Sequence, residues 1–93
     1  MKRVEEFNII SFESTHMAIK SEKILLEEKL EVRIIPVPRE ITASCGLALK
    51  ISKEDFKRGL ELLKCNNIEL SGCYSVKKIG LKKEILDISE EIL

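Results

Sequence analysis

The stretch Leu47-Ala48-Leu49-Lys50-Ile51-Ser52-Lys53-Glu54-Asp55 decides the fold. Leu47, Leu49 and Ile51 alternate as the inward side of a half-buried strand. Ser52 is a good helix N-cap, and Glu54 and Asp55 suit the positive end of a helix dipole. Phe56, Leu60 and Leu63 recur on one face of that helix, and Asn66-Asn67 ends it.

Upstream, Val32-Arg33-Ile34-Ile35-Pro36-Val37 reads as another strand, whose prolines suit a sheet edge or a strand end. Phe7 to Phe12 is apolar enough for a central strand. Ser14 and Thr15 then offer caps for a helix from His16 to about Leu30, with Ala18, Ser21 and Leu25 on one turn pattern and Met17 and Ile24 beside it. Downstream, Ile68, Leu70, Tyr74 and Val76 share one face of a fourth strand. Cys73 falls on the other face with Glu69, Ser71 and Ser75, which reads as partly exposed.

The resulting order is strand, helix, strand, strand, helix, strand. This predicts an α+β fold of the ferredoxin-like split βαβ type (βαββαβ), with a four-stranded antiparallel sheet and two helices on one face. Leu81, Ile85, Ile88 and Ile92 follow at helical spacing, so an extra C-terminal helix is expected. The chain thus divides into a ferredoxin-like domain over residues 1–79 and a helical extension over 80–93. That helix either covers an apolar surface of its own chain or pairs two chains as a homodimer.

Ninety-three residues make one domain. Sixteen basic residues balance sixteen acidic ones, which argues against a general grip on nucleic acid or an anionic membrane. The four aromatic residues form no aromatic–basic strand motif for RNA. No apolar run is long enough to span a membrane or serve as a secretory signal, so a cytoplasmic protein is expected. There Cys45, Cys65 and Cys73 stay mostly reduced, and the lack of a CxxC pair argues against structural zinc.

Cys45 is the candidate for chemistry. It ends a segment, Pro36 to Gly46, too rich in turn formers for regular structure. In a split βαβ sheet the third strand runs back between the first two. Its leading loop therefore lies at the exit of the first strand, near Glu13-Ser14-Thr15-His16. A helix N-terminus there favours a thiolate through unpaired amides and partial positive charge. Ser14, Thr15, His16, Arg39, Ser44 and Gly46 make up this anion environment, while Glu13 and Glu40 oppose it. Cys65 ends the second helix at the same sheet edge and reads as a packing residue or a second thiol. The same cluster would also suit a module that binds a small anion or regulates a partner, and an unreactive Cys45 would suit a structural subunit.

Three segments carry a resemblance: Ile10 to His16, Arg33 to Ile41, and Ala43-Ser44-Cys45-Gly46-Leu47-Ala48-Leu49. Together they are similar to the selenium/sulfur carrier protein-like family, over roughly residues 7–76. The resemblance implies a carrier rather than an enzyme, with Cys45 as the thiol that holds a persulfide or selenosulfide. It also implies a donor and an acceptor protein as partners, and requires no metal or organic cofactor.

Overall fold

The computed structural model describes residues 4–41 and 46–92, and side chains as far as Glu90. The elements are β1 (Val4–Phe12), α1 (Thr15–Glu27), β2 (Val32–Pro36), β3 (Leu47–Ile51), α2 (Lys53–Cys65), β4 (Leu70–Ile79), β5 (Lys82–Asp87) and α3 (Ser89–Ile92). All five strands form one antiparallel sheet in the order β2-β3-β1-β4-β5. The first four stand in the split βαβ arrangement, with β1 central and β2 at an edge as Pro36 and the nearby Pro38 suggested.

Local chemistry sets the helices. Ser14 caps α1 by accepting from the Met17 amide at 3.3 Å, and Ser52 caps α2 by accepting from the Asp55 amide at 3.3 Å. Lys29 and Asn67 take positive φ just beyond the two helices and turn the chain back toward the sheet. Each helix lays its apolar stripe on one face. Ala18, Leu25, Leu60 and Leu63 close over Ile10 and Leu49 in the main core. Gly59 lets α2 approach closely, since a Cβ there would stand 2.7 Å from Ile51 Cδ1.

The opposite face is not left open. The segment after β2 doubles back across it as a strap. Ile41 packs on Phe7, Ile9, Ala48 and Val76 as a second, smaller core. Ala48, expected on the outward side of a half-buried strand, is therefore as buried as Leu49. A Pro38–Ile41 turn shapes the strap, and the Val37 amide closes it against the Gly46 carbonyl at 3.0 Å. The ammonium groups of Lys50 and Lys78 lie over the Phe7 ring, at 4.4 and 5.5 Å from its centre.

Two expectations are corrected. The tail is not a helical extension: Lys82 to Asp87 pair with β4 as a fifth strand, and only Ser89–Ile92 turn helically. Gly80, at φ +58, opens a two-residue turn after Ile79, the conformation a tight hairpin needs. Pairing then sets Val76 against Ile85 and Lys77 against Glu84, which outweighs the helical spacing of the isoleucines. The second correction concerns β4. A bulge beside Ser11 and Phe12 pairs Gly72 with Ser11 but Leu70 with Phe12. The extra residue, Ser71, breaks the alternation. Leu70 and Cys73 consequently face the helices, while Tyr74 and Val76 face the strap.

The two sheet edges differ. On β2 the Ile34 amide donates to Glu22 Oε2 at 2.9 Å, and Pro36 has no amide to offer. No side chain among the described residues caps the outer amides of β5.

Candidate functional site at one end of the sheet

The end of the sheet where β1 exits gathers most of the residues singled out by sequence. The β1–β3 register sets Ser11 against Ala48, and two further steps bring Gly46 beside Glu13. Ser14, Thr15 and His16 open α1 there, all exposed. α2 ends at the same edge, so Cys65 is exposed on that end too. Cys45 and Ser44 lie outside the described residues; Cys45 immediately precedes Gly46 in the chain.

Not every expected neighbour joins this group. Arg39 is exposed in the strap, between Pro38 and Glu40, and is carried over the face opposite the helices. Ser14 to His16 begin a helix on the other face, so the sheet separates the two. Glu40, next to Arg39, reaches Lys83 of β5 at 3.2 Å. Its carboxyl is held below the ordinary carboxylate value by its own backbone amide and then by Lys83.

The three cysteines are chemically unequal. Cys73 is fully buried among the helix-side core residues, not partly exposed as its strand neighbours suggested. Burial, helped by the Asp87 carboxylate, pushes its thiol up to about 11, so it stays protonated and shielded. Ser89 holds the backbone of Cys73 from both sides: its Oγ accepts from the Cys73 amide at 2.9 Å and donates to the Cys73 carbonyl at 3.3 Å. Cys65 is exposed at the end of α2.

Sequence reading missed a groove of about 370 Å³ on the strap side, lined by Glu40, Tyr74, Lys83, Ile85 and Asp87. Burial and then Asp87 raise the Tyr74 phenol above its ordinary value, and a hydrogen bond with Ser11 partly offsets this. The Asp87 carboxyl is lowered by the hydroxyl and amide of Ser89. With Lys83 already paired to Glu40, two carboxylates oppose anion binding here. The signal for this groove was the hairpin turn at Gly80, masked by the helical spacing around it. A second groove of about 370 Å³, at the far end, is lined partly by Glu5, Arg33 and Lys50, with Lys50 paired to Glu5 at 3.3 Å. Among the described residues no three metal-ligating side chains cluster, and no helix is long and apolar enough to cross a membrane.

No curated protein and no solved structure matches the chain. Residues 7–75 match the family described as "Putative Se/S carrier protein-like". That span runs from the buried half of β1, through both helices and the strap, into β4. The match covers well over half of the 93 residues, and the chain belongs to this Se/S carrier protein-like family.

Proposed function

We propose that the protein is a carrier that holds one sulfur or selenium atom on Cys45 and hands it to a partner protein. Family membership is the observation that carries this reading. The state of Cys73 supports it by removing one thiol from exchange: Cys73 is buried and protonated. Gly46, the residue after Cys45 in the chain, lies at the end of the sheet where α1 starts, by extension of the β1–β3 register.

The chemistry balances without an external oxidant. The Cys45 thiolate attacks the outer, sulfane sulfur of a donor cysteine persulfide. A new S–S bond forms on Cys45, the donor S–S bond breaks, and the donor leaves as a thiolate. An acceptor thiolate then attacks the terminal sulfur and releases Cys45 as a thiolate. The selenium case is the same exchange through a selenosulfide. The atom moves at its own oxidation level, so no resident cofactor takes part.

The test loads the protein from a cysteine desulfurase supplied with cysteine or selenocysteine, then maps the added mass. One sulfur or selenium atom on Cys45, lost on adding a thiol acceptor and absent from Cys45→Ser, is the expected result. Loading on Cys65 alone, or no loading, removes the carrier role from Cys45.

The strap-side groove favours a second reading, a small-ligand or regulatory module. A ligand there would be polar and preferably cationic, given Glu40 and Asp87. In that case Cys45→Ser retains ligand-induced thermal stabilisation, and Asp87→Asn loses it.

A further inference from the structure

We infer that β5 is a pairing edge through which two copies of this chain join their sheets. The inference is independent of the carrier reading.

Hairpin geometry decides which groups are free. The Ile88 amide donates to the Cys73 carbonyl at 2.9 Å, so residue 88 faces β4. Ladder alternation makes the main-chain groups of Lys82, Glu84 and Leu86 face β4 as well. The amides and carbonyls of Lys83, Ile85 and Asp87 therefore point outward, unpaired among the described residues. The side chains beside this edge are apolar: Leu86 is 65% exposed on the helix side, and Ile85 is half-buried on the strap side.

Symmetry and charge then select both the partner and the register. Two copies related by a two-fold axis pair antiparallel, with one residue facing its own copy on the axis. The axis can pass through a hydrogen-bonded pair, at Lys83, Ile85 or Asp87, or through a non-hydrogen-bonded pair, at Glu84 or Leu86. Centring on Lys83, Glu84 or Asp87 sets like charges face to face, which is destabilising. Centring on Leu86 sets Lys83 opposite Ser89, whose amide already donates to Asp87, and leaves Lys83 without a partner carboxylate. Centring on Ile85 sets Ile85 against the partner's Ile85 and Lys83 against the partner's Asp87, twice. The outward groups then exchange about six main-chain hydrogen bonds. Both of these charged side chains lie on the strap side, so the Lys83 ammonium meets the partner's Asp87 while keeping Glu40 within reach. A second copy thus satisfies the edge, covers Leu86 and pairs the charges. β2 cannot do the same, because Glu22 occupies the Ile34 amide and Pro36 has none.

The contact is small, so the dimer is concentration-dependent. Sedimentation velocity from low micromolar to millimolar protein tests it. The expected result is a monomer–dimer equilibrium in the unmodified chain and a monomer throughout for Ile85→Lys, with unchanged circular dichroism. Because Ile85→Lys could fail to fold, Ile85→Cys supplies a second arm. Opposed residues in a hydrogen-bonded antiparallel pair stand about 5.5 Å apart at Cα, within disulfide range. Mild oxidation of Ile85→Cys should give a 85–85 cross-link by peptide mass spectrometry, and Glu84→Cys should give none at 84. A chain monomeric at millimolar concentration, a dimer that survives Ile85→Lys, or no 85–85 cross-link overturns the inference.

Discussion

The Glu40 carboxylate lies 3.2 Å from the Lys83 ammonium, which ties the strap that leads toward Cys45 to the outermost strand of the sheet. Both side chains are solvent-accessible, so the pair holds position rather than stability. Lys83→Ala should leave the melting temperature within error while speeding amide exchange at Arg39 to Ile41. Acid should do the same. Glu40's value is depressed, so its contribution is present above the ordinary carboxylate range and lost as pH falls below it. Exchange unchanged both in the variant and at low pH would show that Ile41 alone anchors the strap.

Cys73 makes the opposite kind of prediction. Its thiol rises from an ordinary value of 9.0 to about 11 in the fold. A raised value gives stability that is full below pH 9 and lost as pH climbs toward 11. The loss is on the order of 2 kcal/mol, and Cys73→Ala should flatten this part of the pH profile despite its own packing cost. Denaturant midpoints from pH 8 to 11 measure both. In the native state Cys73 should react with iodoacetamide only as fast as the protein opens.

Ser14 separates helix stability from thiol chemistry. Ser14→Ala removes the cap to the Met17 amide and should lower stability by about 1 kcal/mol. Ser14→Asp retains a cap but adds negative charge at the start of α1. It should leave stability near that of the unmodified protein while raising the pH midpoint for alkylation of Cys45. An unmoved midpoint would detach Cys45 from the α1 terminus.

Gly59→Ala should destabilise the protein even though alanine favours helix by about 1 kcal/mol. Its Cβ would meet the fully buried Ile51 Cδ1 at 2.7 Å, and overpacking of this kind costs about 1–3 kcal/mol. Thermal melts of Gly59→Ala beside Gly59→Ala/Ile51→Val give the check. The smaller residue 51 should recover part of the loss.

Asn8 offers a gain. It is 6% exposed on the central strand, and its Oδ1 finds no hydrogen-bond partner among the described residues. Asn8→Val should stabilise by about 1 kcal/mol, by removing an unmet acceptor and supplying a better strand former. A lower denaturant midpoint would mean that the amide group makes a bond that valine cannot replace.

Local signals made much of the fold legible. Ser14 and Ser52 cap the helices they were expected to cap, and Leu47–Ile51 form β3 with the bounds read from alternation. Long-range effects hid the rest. Ala48 looks outward until Ile41 folds over it. Cys73 changes face because a single residue, Ser71, is added to one strand opposite β1. Ile85 and Ile88 fit a helical stripe as well as a strand, and Gly80 decided between them. Arg39 shares its loop with Cys45 and was expected near the first helix by topology, yet the strap takes it over the other face of the sheet. No local propensity records any of these, since each depends on a partner distant in sequence.

The unequal treatment of the sheet edges has a consequence for solubility. A sheet with two receptive edges can polymerise without end, adding one molecule to each side as a fibre does. Here Glu22 and Pro36 shut one side. Joining through β5, as inferred above, would leave only two shut sides facing outward, and growth would terminate at the first encounter. The carboxylate of Glu22 thus acts on the molecule's behaviour at high concentration: it converts an edge that would propagate aggregation into one that ends it.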